Sequence, residues 1–310
     1  MQILDVARRY YEDGMSQAEI AAAIGYSRPT VGRMLADARR SGVVRIQIAH
    51  PLERAFDLER VISTRFGIAN VRVTGTAPAT DNGTAEVGAA AAAILGRIVR
   101  PGMVIGLSNG RVHGAVLQRL SPVAVPDVTF VQMVGGLSEE NPLVDGPELC
   151  RGFASAFDGV AHTLHAPLIV GSPRDAAALM SSPEVASTLR RAAAADLAVV
   201  GIGAGFRHAT GVFDHYLTKS DMRALRAQGA VGHVLGQFLD HDGQVLDHPA
   251  RDLVVGLRLE HLRNIPHVIG IAAGREKGEA IAAALRGGLV NALIVDRETA
   301  QALAYLDGRR

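Results

Sequence analysis

The chain has 310 residues, 48% hydrophobic and 20% charged, with a formal net charge of +1. This is ordinary globular composition; it excludes a disordered chain, a coiled-coil rod and a collagen-like fibre, and at about 150 residues per domain the length suggests about two domains. A single cysteine, Cys150, excludes an intramolecular disulfide and a multi-cysteine metal site; with no signal-peptide pattern at the start and no run of ~18 apolar residues, a cytoplasmic location is expected.

Residues Ile3, Leu4, Val6, Ala7, Tyr10 and Tyr11 recur at helical spacing, so the pattern predicts a helix over 2–13, stopped by Asp13-Gly14. Ser16-Gln17-Ala18-Glu19 is a capping box that opens a second, short helix, and Gly25 ends it. Ser27 is a suitable N-cap for a third helix, with Pro29 in its first turn and Val31, Met34, Leu35 and Ala38 as its buried stripe. Two short helices joined by a glycine turn, the second opening with polar and basic residues, form a helix-turn-helix, whose second helix fits the major groove.

The charge supports that reading. Between residues 27 and 45 stand five arginines (Arg28, Arg33, Arg39, Arg40, Arg45) against one acid, Asp37, in a chain that is nearly neutral as a whole. Gln17, Ser27, Arg28, Thr30 and Arg33 are the candidate contacts to double-stranded operator DNA. Arg28 or Arg33 can pair bidentately with guanine, and Thr30 can meet a thymine methyl or a phosphate. Arg39 and Arg40 fit phosphates or solvent. The plain alternative is a three-helix cap with no role in nucleic-acid binding.

Residues 43–48 alternate weakly and read as a strand, a small wing ended by Pro51. Residues 52–66 are again helical, a linker or an inter-subunit helix. The expected domains are 1–50 for DNA binding, 51–66 for linkage or oligomerisation, and 67–310 for effector binding.

From about residue 68, apolar runs at 68–74, 103–107, 127–134, 160–164, 197–203, 233–238, 253–257, 267–272 and 291–295 alternate with helical stretches at 84–99, 111–120, 147–157, 184–194, 219–227, 276–286 and 297–306. Several runs are almost continuous Val, Ile, Leu and Ala, as in strands covered on both faces, so an α/β domain with a mainly parallel sheet is expected. Glycines gather at the ends of these runs: Gly106, Gly110, Gly135, Gly136, Gly201, Gly203, Gly205, Gly270 and Gly274. In such sheets ligands bind along the carboxyl edge. Ser108-Asn109-Gly110 before a helix offers free amides and a hydroxyl to an anion. Lys277, one of only two lysines beside 30 arginines, could add an ammonium group. Residues 201–205 lack the third glycine of a dinucleotide fingerprint, so no nicotinamide cofactor is expected.

The chain resembles the SorC-type family of bacterial sugar-responsive transcription regulators. The resemblance rests on Gly229-Ala230-Val231-Gly232-His233, Phe238-Leu239-Asp240, Asn264-Ile265-Pro266-His267 and Gly274-Arg275-Glu276-Lys277. It continues through residues 280–291 and Asp296 and, with Ser27-Arg28-Pro29-Thr30-Val31-Gly32-Arg33, spans nearly the whole chain. It implies a winged helix-turn-helix followed by an effector domain similar to sugar-phosphate isomerases and deaminases. It also implies a homo-oligomer, often a tetramer, whose DNA affinity changes when a sugar, sugar phosphate or polyol binds. Ser108, Asn109, Gly110, Arg111 and Lys277 would hold a phosphate, Gly135 and Gly136 would line the cleft, and His233 and Asp240 would meet sugar hydroxyls. Two positions depart from the family pattern: the turn lacks the usual threonine at Val112, where Arg111 is the expected substitute, and His233 stands where an acid is usual.

Other clusters are set aside. His162 and His165 fall on opposite faces of a predicted strand, so no metal is expected. Asp242, His241, Asp247 and His248 read as a surface turn. Cys150 reads as a buried filler. Ser108 lacks a nucleophile elbow. The expectation is therefore no enzyme and no cofactor. The rival reading is a sugar-phosphate isomerase or deaminase with a DNA-binding appendage, using Asp240, His233 or Glu148 as its base.

Overall fold

The computed structural model describes residues 2–44, 51–75, 83–137, 145–204, 213 and 217–306. The chain divides into two compact units, Met1–His50 and Pro51–Arg310.

The first unit consists of α1 (Gln2–Tyr11), α2 (Gln17–Ile24) and α3 (Arg28–Arg40). The capping box forms in both directions: Glu19 N–H donates to Ser16 Oγ at 3.3 Å, and Ser16 N–H to the Glu19 carboxylate at 2.8 Å. The Ser16 N–H, and after it the Ser16 hydroxyl, favour the ionised acid and hold the Glu19 carboxyl below its usual value. Gly25 has φ 72°, the left-handed backbone that the turn between α2 and α3 requires. Val6, Ile20, Ala21, Val31 and Leu35 form the small core. The first helix stops at Tyr11, short of the expected residue 13. Asp13 N–H bonds Arg8 and Met15 N–H bonds Arg9, a wide closing turn around Gly14 at φ 70°. Of the expected wing only residues 43 and 44 are described, in a bend where Val44 N–H bonds the Ala38 carbonyl. Residues 45–48 of it lie outside the described residues.

The second unit opens with α4 (Pro51–Phe66), β1 (Asn70–Val73), α5 (Thr84–Ile98), β2 (Val104–Leu107) and α6 (Arg111–Leu117). Next come β3 (Thr129–Gln132), α7 (Gly146–Ala156), β4 (Val160–His162), α8 (Pro173–Ser181), α9 (Pro183–Ala193) and β5 (Leu197–Ala204). It continues with α10 (Lys219–Ala227), β6 (Gly232–Val234), β7 (Gln237–Leu239) and α11 (Leu259–Leu262). It closes with β8 (His267–Ala272), α12 (Gly278–Arg286), β9 (Ala292–Val295) and α13 (Arg297–Ala304). The strands pair in parallel in the order β1-β9-β8-β5-β2-β3-β4, and β6 and β7 continue from β5 as an antiparallel hairpin. The first half of β5, Leu197 to Val200, is buried on both faces, which explains its unbroken apolar sequence.

Each sheet face has its own core. Val87 and Leu95 of α5, Val112 and Val116 of α6, and Leu149 and Phe153 of α7 cover one face. Ile62 of α4, Leu189 of α9, Leu225 of α10, Ile281 of α12 and Leu303 of α13 cover the other. The chain after β2 leaves towards β3 over the first face, and the chain after β5 leaves towards β8 over the second. Their paths part between β2 and β5, the point on the carboxyl edge where open parallel sheets place their ligand crevice.

Two expected strands and several expected turns change. The run at 233–238 is a hairpin, not one strand: Leu235 and Gly236 take φ 48° and 74° and reverse the chain between β6 and β7. The run at 253–257 makes only single bridges, Val254 to Ile169 and Gly256 to Val134, after a 3-10 turn over Pro249–Leu253. Gly106, Gly201, Gly203 and Gly270 sit inside strands rather than in turns after them. Helix α8 was not anticipated: its only fully buried side chain is Ala176, too little for an apolar stripe. Among the described residues no helix is long and apolar enough to cross a membrane.

Candidate functional site

In the first unit, Arg28, Arg33 and Arg39 are exposed on α3. The arginines of α1 are tied locally, Arg8 to Glu12 at 3.9 Å and Arg9 to Asp5 at 3.0 Å, and Arg40 pairs with Asp37. Among the described residues Arg28, Arg33 and Arg39 have no acidic partner, so the uncompensated charge of this unit lies on α3. Ser27 and Thr30 share a hydrogen bond between their hydroxyls at 2.8 Å while Ser27 caps the helix, so both are held at its first turn. Gln17 lies across the same helix: its Oε1 is 3.4 Å from where a Cβ on Gly32 would stand.

In the second unit, the 108–111 turn follows β2 into the crevice. Gly110 has φ 118°, a conformation that favours glycine, and the backbone amides of Asn109 and Gly110 have no partner among the described residues. Ser108 is buried, and its hydroxyl oxygen accepts the Gly201 N–H at 2.9 Å. The Asn109 side-chain amide donates to the Gly135 carbonyl at 3.2 Å, joining the turn after β2 to that after β3. Gly135 and Gly136 follow β3 at the same carboxyl edge, and their N–H groups bond the Val255 and Ala166 carbonyls. A Cβ on Gly135 would stand 2.2 Å from the Pro167 carbonyl oxygen, so glycine there serves close packing.

Lys277 ends the 3-10 turn Arg275–Lys277 ahead of α12. Among the described residues its ammonium has no hydrogen bond or ion pair. Burial lowers its pKa below the ordinary value; Glu276 opposes that shift, and Arg111 adds to it through like-charge repulsion. Lys277 also helps to press His233 to about 4, the larger cause being burial. Arg111, Lys277 and a neutral His233 therefore share one electrostatic neighbourhood. The His233 ring is packed edge-on against Phe213, centroids 4.9 Å apart, and against Phe238 at 5.9 Å.

Asp240 is placed differently. Its Oδ1 accepts the N–H groups of Asp242 and Gln244 at 2.9 and 2.8 Å. Gly243 of that turn packs on the backbone of Ala283 and Gly287, at the C-terminal end of α12, whose other end adjoins Lys277. Of the cluster read as a surface turn, His248 is buried and its Nδ1 accepts the Ala250 N–H at 3.1 Å, capping the turn that follows. The Cys150 thiol donates to the Phe130 carbonyl, and burial pushes it up to about 12. Among the described residues no three His, Cys, Asp or Glu side chains are grouped to hold a metal.

Sequence reasoning missed His113. This buried residue of α6 bonds the Val199 carbonyl at 3.0 Å and stands 3.4 Å from the Ser108 hydroxyl. A polar side chain inside the apolar stripe Val112, His113, Val116 was the available signal.

Comparison with known proteins agrees with both halves. Residues 50–304 match the family described as "Putative sugar-binding domain", and residues 14–44 match "Bacterial regulatory proteins, crp family". The transcriptional regulator LsrR of Enterobacter sp. (strain 638) is 34% identical over 98% of this chain and 92% of its own length. LsrR of Klebsiella pneumoniae is also 34% identical, over 97% and 92%. The crystal structure of the full-length sorbitol operon regulator SorC from Klebsiella pneumoniae superposes with a TM-score of 0.74 at 27% identity, covering 98% of each chain.

Proposed function

The chain belongs to the SorC family of sugar-binding transcription regulators, and on that basis we propose that it is a homo-oligomeric regulator whose operator affinity is set by an anionic, carbohydrate-derived effector. Helix α3 enters the major groove. Arg28 and Arg33 read base edges, Gln17, Ser27 and Thr30 fix the helix on the backbone, and Arg39 meets phosphate. The domains are assigned as 1–50 for DNA, 51–66 for linkage between subunits, and 67–310 for the effector.

The observation that carries the effector reading is the pair of cations at the crevice. Arg111 and Lys277 repel one another, Lys277 forms no ion pair or hydrogen bond among the described residues although Glu276 and Asp296 offset part of that repulsion from a distance, and amides without a partner among the described residues lie beside Arg111. An anion bound there relieves the repulsion and satisfies the amides. A phosphate or sugar-acid carboxylate supplies that charge. Asn109, Gly110, Gly135 and Gly136 shape the cleft, Ser108 supports the turn, and His233 contacts the sugar body. Asp240 acts there only if its turn reopens.

The site works by binding rather than turnover. Isomerisation requires a base poised at the sugar, whereas His233 stands beside Lys277, the Asp240 carboxylate is held in its own turn, and Glu148 pairs with Arg151. A cytoplasmic location follows from a role on DNA.

A thermal-shift screen of free sugars, polyols and sugar phosphates tests this reading. A ligand at 100 times its Kd stabilises the folded state by about 2.7 kcal/mol. Stabilisation by phosphorylated or acidic sugars is expected; a response confined to neutral sugars would overturn the anionic assignment.

A further inference from the structure

We infer that His113, which lies behind the 108–111 turn, is a positioning residue for effector binding, and that it acts through its Nε2–H tautomer. The inference rests on the reading of the crevice as an anion site.

Two donors meet at the Val199 carbonyl: the Ser108 N–H at 3.1 Å and His113 Nε2 at 3.0 Å. A carbonyl oxygen only accepts, so Nε2 carries the hydrogen and Nδ1 is bare. Nδ1 is buried and has no hydrogen-bond partner. Because Nε2 is protonated, the Ser108 hydroxyl beside it cannot donate to that nitrogen. Its hydrogen is directed to the Asn109 carbonyl at 3.5 Å, while its oxygen accepts the Gly201 N–H. The turn after β2 is thus pinned to β5 by Ser108 N–H, Ser108 Oγ and His113, directly across the point where the two chain paths part. The Asn109 bond to Gly135 ties it to β3 as well.

These bonds hold the segment that presents the open amides of Asn109 and Gly110 and the guanidinium of Arg111. A turn already fixed in its binding shape loses less entropy when it closes on a ligand. The opposite tautomer would aim the Nε2 lone pair at the Val199 carbonyl, breaking that bond, and would draw the Ser108 hydrogen inward, away from Asn109. Simple space filling does not account for a histidine here. An apolar side chain would fill the volume without burying an unpartnered nitrogen, which costs stability.

Three variants separate positioning from packing: His113→Gln, His113→Leu and His113→Asn. Gln carries an amide N–H near the place of Nε2, Asn carries one near the place of Nδ1, and Leu carries none. The probes are inorganic phosphate and glucose 6-phosphate, titrated calorimetrically against the full chain, with Tm recorded in parallel. Gln is expected to keep the wild-type affinity within about threefold, whereas Leu and Asn weaken it by roughly tenfold, one hydrogen bond's worth. Leu binding as well as Gln would overturn the inference, because packing alone predicts that order. If Leu fails to fold, Asn carries the comparison. Nitrogen-15 spectra of the wild type are expected to show a pyrrole-type Nε2 and a pyridine-type Nδ1 for His113 at neutral pH; the reverse assignment would also overturn it. Should the wild type bind neither probe, the anion site itself is wrong, and the spectra still decide the tautomer.

Discussion

The His233 ring occupies the space that a side chain at Gly203 would need. The two residues face each other across the β5–β6 pairing, and a Cβ on Gly203 would stand 1.9 Å from His233 Nε2. Glycine near the end of this strand is therefore a consequence of where the imidazole lies.

Gly203→Ala should displace His233 from the crevice wall. Overpacking of this kind costs about 1–3 kcal/mol, read as a lower urea midpoint, and effector affinity should fall with it. Unchanged stability would mean that the ring has another resting place.

The uncompensated arginines of α3 predict a contrast in DNA binding. Arg33→Ala should weaken binding to a selected operator by about 1–3 kcal/mol and relax preference at one base pair if the contact is bidentate. Arg8→Ala, which breaks an exposed pair on α1, should change it by less than about 1 kcal/mol. Fluorescence anisotropy on operator and random duplexes measures both. An equal loss on the two duplexes would restrict Arg33 to phosphate contact.

Lys277→Ala should remove the ammonium that would meet the effector's anion. The loss of a charged hydrogen bond is worth about 1.5–3 kcal/mol, so effector half-saturation should rise ten- to a hundredfold in the same anisotropy assay. An unchanged value would take Lys277 out of the site.

His113 and His233 make stability depend on pH. Both are held near 4, chiefly by burial, against 6.5 when unfolded, so the unfolded chain binds more protons in that window. Their stabilising contribution is complete above about pH 6.5 and is lost as the pH falls towards 4. Urea unfolding at pH 7.5 and 5 should show a loss that shrinks in His113→Gln. An equal loss in that variant would place the proton uptake elsewhere.

The first unit was legible because its signals are local. Ser16, Glu19, Gly25 and Ser27 each act within three or four residues, and the structure forms the caps and the left-handed turn that they imply. The alternating strands and helices were legible for a similar reason, since strands buried on both faces are written as unbroken apolar runs. The β6–β7 hairpin was not: Leu235, a non-glycine, takes φ 48° at its turn. Gly203 looked like a loop residue because the side chain that requires its smallness, at His233, comes from another element. Lys277 stood out only through its rarity, whereas the bond between His113 and Val199 spans 86 positions and leaves no local trace.

The most direct test of the account is an operator titration of the full chain, by anisotropy, with and without the sugar phosphate that gives the largest thermal shift. Coupling between sites of this kind is typically worth about 1–3 kcal/mol, so operator affinity should change at least fivefold in one direction. It should do so in the wild type, and in Lys277→Ala only at ten- to a hundredfold higher ligand concentration. An operator affinity indifferent to every ligand that stabilises the protein would contradict the claim that the crevice governs the DNA-binding helix.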